Sequence, residues 1–245
     1  MNFSLLSFHQ SDDIASITLA RGVKANALSA ELVQEFVGAL EAALAQGTRV
    51  VVIRGEGAHF CAGFDLSDLE SETDESLIER LKQAESMLQA LYYAPVATAA
   101  LIHGGAYGAG FDLAMACDYR LAAPQVRFRM PSWKMGIAIG THRLISRVGP
   151  ETAFQCLRSA AVLNAGDALS GKFVTEIADE VTWDRRLQEI AAEVRSLSAD
   201  AYAQLKRLTL ADTRAADMKA LLDSLTCEPL KPRMARYAGT LGKRD

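Results

Sequence analysis

The sequence predicts an α/β fold that gives way to an all-helical C-terminal segment. Two observations predict it. Short apolar, β-branched runs alternate with stretches of helical periodicity through the first three quarters of the chain. From about Ala191 the strand-like runs stop and only helical spacing remains. No low-complexity stretch or flexible linker separates the parts, so the expected division is a core of residues 1–190 and a helical region of residues 191–245.

Two strands are expected first, near residues 3–8 and 14–19. Ser29 then reads as an N-cap, with Glu31 in the first turn. Leu32, Val33, Phe36, Val37, Leu40 and Leu44 follow at helical spacing, and Gly47 ends the helix. Residues 50–53 are too short and too β-branched to be helix. A loop over 55–66 leads to a helix that Asp74 is expected to cap, with Leu77, Ile78, Leu81, Leu88 and Leu91 on one face. Pro95 closes it, and residues 96–102 form the next buried strand. A glycine-rich turn opens a helix near 108–116, strands are expected at 119–122 and 126–130, and helices at 151–160 and 165–170. Leu205 and Leu208, then Met218, Leu221, Leu222 and Leu225, mark the C-terminal helices. Pro229 and Pro232 are expected to end them ahead of a basic tail of Lys231, Arg233, Arg236, Lys243 and Arg244.

Composition narrows the function classes. The 245 residues are half apolar, with a net charge of −4 and no basic blocks, which argues against nucleic-acid binding. The N-terminus lacks a basic start and a sustained apolar stretch, so no signal peptide is expected, and no run has the length of a membrane span. Cys61, Cys117, Cys156 and Cys227 fall in no metal or disulfide spacing and read as buried free thiols, which suits a reducing, cytoplasmic setting. The four histidines are equally scattered, and no metal site is expected.

Chemistry concentrates in two glycine-containing turns, HFCAGFD at 59–65 and HGGAYGAG at 103–110, each directly after a buried strand. Glycine permits conformations that expose backbone N–H groups and lets a ligand approach closely, and the second turn opens a helix whose first N–H groups are unpaired. The second turn is neither a phosphate loop nor a dinucleotide fingerprint, since its glycines at 105, 108 and 110 are spaced GxxGxG. No GxSxG elbow supports a serine hydrolase. Asp112 stands three residues after Ala109, a spacing that puts its carboxylate on the face of the helix start.

Six segments together resemble the crotonase, or enoyl-CoA hydratase/isomerase, superfamily in that family's order. They are RGVKANALS at 21–29, HFCAGFDLSDL at 59–69, PVATAALIHGGAYGAGFDLAMACDYRLAA at 95–123, FRMPSWKMGI at 128–137, RLISRVGP at 143–150 and GDALSGKFVTEIAD at 166–179. The resemblance implies a spiral of repeated ββα units, a helical region for assembly as a homotrimer or dimer of trimers, and an acyl-CoA thioester as substrate. It implies no permanently bound cofactor, coenzyme A entering as part of the substrate.

The implied oxyanion hole consists of the backbone N–H groups of Phe64 and Ala109, and the implied catalytic carboxylate is Asp112. Coenzyme A is expected along Lys24, Ala25, Ala62, Asp65 and Leu66, and the basic tail is a further candidate for its nucleotide end. Ser132 stands where the hydratases keep a second glutamate. A serine is no general base at neutral pH without an activating partner, though it can bind a polar substituent or a water. The segment 136–143 is shorter than the family's loop there, and its His142 reads as a surface or structural residue. The expected function is an enolate-forming, hydratase/isomerase-type reaction. The alternative is a catalytically impaired crotonase-fold protein that binds CoA or acts as a scaffold.

Overall fold

The computed structural model describes residues 3–241. Two sheets organise it. In the larger one, β1 (Leu6–Ser11) and β2 (Ile14–Leu19) form an antiparallel hairpin. Beyond β2, β3 (Val50–Gly55) and β4 (Ala97–Ile102) add in parallel. The smaller sheet begins with β5 (Gly105–Tyr107), the larger one continues with β6 (Tyr119–Ala122), and β7 (Arg127–Arg129) pairs with β5 in parallel. The short β8 (Leu163–Asn164) pairs antiparallel with β7, and β9 (Glu176–Ile177) closes the larger sheet. The orders are β1-β2-β3-β4-β6-β9 and β5-β7-β8.

Helices cover these sheets: α1 (Ala30–Ala45), α2 (Asp74–Tyr92), α3 (Ala109–Met115), α4 (Thr141–Val148), α5 (Pro150–Ser159) and α6 (Ala165–Ser170). The C-terminal helices are α7 (Trp183–Arg195), α8 (Ala199–Thr209), α9 (Arg214–Thr226) and α10 (Leu230–Leu241). Residue 190 lies inside α7, which starts soon after the last strand.

Period-two alternation explains why β3 over Val50–Ile53 and β4 apart from Thr98 are apolar on both faces. Val51, Ile53, Ala100 and Ile102 face the main core, while Val50, Val52, Ala97, Ala99 and Leu101 face a second cluster with Trp183, Leu187, Ile190 and Val194 of α7. Both faces are therefore dry, and the strand ends are the remaining place for a polar ligand.

Several expectations change. The first strand begins at Leu6 rather than residue 3. Thr73, not Asp74, caps α2, through a reciprocal pair with Ser76. Asp74 instead accepts from the Leu230 and Lys231 N–H groups at 2.9 and 2.7 Å, capping α10 from a distance. Pro232 does not end a helix; it lies in the first turn of α10, where a missing N–H costs nothing. Helix α4 occupies part of the segment expected to be loop, because Asp217 of α9 accepts the His142 N–H at 3.0 Å and caps it from outside. Cys61, Cys117 and Cys156 are buried free thiols, but Cys227 is exposed.

Candidate active site

Sequence and packing fix the first turn. Ala25 and Asn26 are left-handed, with φ of 49° and 56°. The Asn26 side chain is fully buried; its Oδ1 accepts from Arg21 N–H at 2.9 Å, and its Nδ2 donates to the carbonyls of Glu56 and His59, each at 2.8 Å. One amide thus knits the 21–28 segment to the loop after β3. Beyond it, Leu28 N–H bonds Gly63 O at 2.7 Å and Asp65 N–H bonds Leu28 O at 3.1 Å. Phe64 lies between these two bonds, and its own N–H has no acceptor among the described residues.

The second turn packs directly on the first. Gly63 has φ +95°, and a Cβ there would lie 2.4 Å from Tyr107 O and 3.2 Å from Ala109 N. A Cβ on Gly110 would lie 2.2 Å from Cys61 O. Glycine at both positions is what lets the turns touch. Ala109 is the first residue of α3, so its N–H is an unpaired helix-start donor, and none of the described residues accepts from it. Its methyl is accommodated in a residue only 6% exposed.

Phe64 and Ala109 line one cavity of about 520 Å³. Ala27, Ala62, Leu66, Leu81, Ile137 and Ile139 supply apolar wall, and Tyr107, Arg129, Ser132 and Tyr237 supply polar atoms. Ser132 is 5% exposed, and its hydroxyl has no partner among the described residues.

Among the residues expected at the site, Phe64, Ala109, Ala62, Leu66 and Ser132 meet at this cavity. Lys24 and Ala25 lie outside the wall, Lys24 exposed at the end of a short 3₁₀ turn. Asp65 is also outside it: burial works to raise its titration, but bonds from the Ser67 hydroxyl and N–H (the latter 2.9 Å) and the pair with Arg21 at 2.5 Å hold it below the usual carboxylate range. Lys231 and Arg233 spend their charge on backbone carbonyls, Arg233 tying α10 to Met135 at 2.9 Å. Lys243 and Arg244 lie outside the described residues. His142 is on α4, with Nδ1 3.0 Å from Asp217 and away from the cavity wall.

Asp112 is not part of the cavity wall. It is 2% exposed, and its Oδ2 has no hydrogen-bond partner among the described residues. Ile139 faces the cavity, and the next residue, Gly140, packs against the carboxylate; a Cβ on Gly140 would lie 2.7 Å from both Asp112 Oδ1 and Arg143 Nη2. Arg143 is itself buried in a bidentate pair with Glu85, both bonds 3.0 Å. Desolvation pushes Asp112 up to about 8; Arg143 opposes the rise, while Glu85 and Asp217 add to it. Asp112 is therefore largely protonated at neutral pH. Burial also pushes Cys61 up to about 12, so it is an inert thiol whose S–H donates to Asn26 O.

Arg129, Tyr107 and the Asn26 amide were not singled out by sequence reasoning. Arg129 carried no signal, being one base in a three-residue strand. Asn26 could have been found as the one residue in the RGVKANALS segment of a type that tolerates a left-handed backbone and caps turns.

Comparison with known proteins bears on this geometry. The family model described as Enoyl-CoA hydratase/isomerase matches residues 9–226. "Probable enoyl-CoA hydratase echA6" of Mycobacterium tuberculosis (strain CDC 1551 / Oshkosh) is 34% identical over 212 residues, covering 83% of this chain and 82% of the relative. "Enoyl-CoA isomerase/hydratase fer4" of Mycosarcoma maydis is 31% identical over 213 residues, covering 79% and 78%. The crystal structure of a "putative enoyl-CoA hydratase/isomerase" from Bordetella parapertussis superimposes with a TM-score of 0.93 at 34% identity, covering 96% of this chain and 98% of that one. With its two unpaired N–H groups on one apolar cavity, the chain belongs to the enoyl-CoA hydratase/isomerase family of the crotonase superfamily.

Proposed function

We propose that this enzyme binds an acyl-CoA thioester with the thioester carbonyl oxygen on the N–H groups of Phe64 and Ala109. An enzyme of the hydratase/isomerase type is what its family membership supports. The observation that carries the binding geometry is the pair of donors left without acceptors among the described residues, in two adjoining turns on the wall of one largely apolar cavity. When a base removes the α-proton, the electron pair moves onto the carbonyl oxygen. Two fixed donors in a dry site stabilise that charge, and loss of one such donor typically costs about 10²–10³ in rate.

Asp112 is the proton carrier in this reading. Its ionised form takes the α-proton, and its protonated form returns it to the α- or γ-carbon, which shifts a double bond with one carboxylate. The Ser132 hydroxyl is too weak an acid and too weak a base to exchange a proton with substrate at neutral pH, which favours the single-carboxylate route over hydration by two acids. Access to the α-carbon requires displacement of the segment around Ile139 and Gly140, so substrate entry and exposure of Asp112 are coupled.

The covered position of Asp112 also supports a second reading, a protein that binds acyl-CoA without turnover. Incubation with 2-enoyl-, 3-enoyl- and saturated acyl-CoA in D₂O separates the two. Deuterium at the α-carbon, with Asp112→Asn slower by at least about 100-fold, is the expected result. Binding with no exchange and no product on any chain would leave the second reading.

Coenzyme A is expected along the 21–28 segment and Ala62, Asp65 and Leu66, with Lys24 reaching a phosphate. Exposed Leu205 and Leu208 on α8, 52% and 73% accessible, support assembly through the helical region as a homotrimer or dimer of trimers. Among the described residues no helix is long and apolar enough to cross a membrane, and no group of His, Cys, Asp or Glu is arranged to hold a metal. The three buried thiols favour a cytoplasmic setting.

A further inference from the structure

Among the described residues, the cavity wall contains one charged side chain, and no carboxylate neutralises it. Arg129 of β7 stands in register with Tyr107 of β5, and its carbonyl accepts the Gly108 N–H at 2.9 Å, directly before the Ala109 donor. The guanidinium is half-buried and oriented by one bond, Nε to Ala160 O at 2.9 Å. Neither Nη atom has an acceptor, and no carboxylate pairs with the group among the described residues. The Ser132 hydroxyl, three residues on, lines the same cavity; it is 95% buried by residue and has no partner. The buried Ser132 hydroxyl is costly to leave unpaired, and the half-buried Arg129 guanidinium beside it has its Nη donors free for a ligand at the same largely apolar wall.

We infer that the acyl group carried by the thioester bears a carboxylate, received by the Arg129 guanidinium and the Ser132 hydroxyl. This rests on the acyl-CoA reading above and narrows its substrate class to dicarboxylic acyl thioesters. The planar guanidinium fork matches a carboxylate's two oxygens, and Ser132 supplies a further donor. The serine then replaces an acid for a reason: a second carboxylate there would repel the substrate's own.

Titration calorimetry with freshly prepared, length-matched saturated thioesters, which have no double bond to hydrate or shift, tests this. The pairs are succinyl- with butyryl-CoA, glutaryl- with pentanoyl-CoA and adipyl- with hexanoyl-CoA, with free CoA as reference. For at least one length the carboxylate-ended member is expected to bind about 10-fold tighter or more. In Arg129→Met that preference is expected to vanish, and in Ser132→Ala to shrink by a few-fold. Equal or tighter binding of the methyl-ended member at every length overturns the inference and leaves the acyl-CoA reading standing. So does an Arg129→Met variant that weakens free CoA as much as adipyl-CoA, since that assigns the arginine to a nucleotide phosphate. Failure of every thioester to bind overturns the acyl-CoA reading itself. If Arg129→Met does not fold, Arg129→Lys, which keeps charge without the fork, is expected to reduce the preference in its place.

Discussion

Replacing Asp112 by asparagine should make the protein less sensitive to alkaline pH, and the size follows from where the carboxyl sits. It is 2% exposed with an unpartnered Oδ2, and desolvation raises its titration from 3.8 to about 8. Between pH 4 and 8 the folded state therefore holds a proton that the unfolded chain has already released. Unfolding becomes easier as pH rises through that window, by about 1.4 kcal/mol per unit, for a total on the order of 5 kcal/mol. That is a large share of the ~5–15 kcal/mol that typically holds a domain together. Asparagine mimics the protonated acid and removes the titration. Urea denaturation of both proteins at pH 5 and pH 8 is the assay, because other titrating groups are common to both. Between these two values the natural chain should lose about 4 kcal/mol more than Asp112→Asn. Parallel losses, equal within about 1 kcal/mol, would refute the claim that Asp112 is neutral in the folded state.

The same titration governs activity: if the ionised carboxyl takes the α-proton, exchange at low substrate should rise about tenfold per pH unit below 8 and level above it. Gly63→Ala should cut kcat/KM by at least about 100-fold, since its Cβ would press on Tyr107 O and Ala109 N and displace a donor. Arg143→Met strands the buried Glu85 carboxylate and should cost about 3–5 kcal/mol in urea denaturation. Asp74→Ala uncaps α10 and should cost about 1–2 kcal/mol in the same assay.

The two turns were legible because their glycines follow buried strands, but the choice of Phe64 and Ala109 as the donors rested on the resemblance to the crotonase family; both residues line the cavity. The alternation in β3 and β4 was readable as buried strand, although which residues face α7 requires the tertiary structure. Strands β5, β8 and β9 run only two or three residues, too short for alternation to show. Helix α4 was hidden because its cap is Asp217, some 75 residues away in sequence. The same holds for Asp74: its local position suggests a cap for α2, yet its carboxylate serves α10. Asp112 illustrates the remaining limit. Spacing placed it on the helix that starts at the second donor, but its cover by the segment around Gly140 and its neighbour Arg143 depend on a contact no local pattern reports.

Infrared difference spectroscopy of bound acyl-CoA, with ¹³C at the thioester carbonyl to isolate its band, tests the central claim most directly. Bonds from Phe64 and Ala109 in a dry cavity should lower the carbonyl stretch below its value in water. A stretch at or above the aqueous value would mean that the carbonyl does not sit on those two N–H groups.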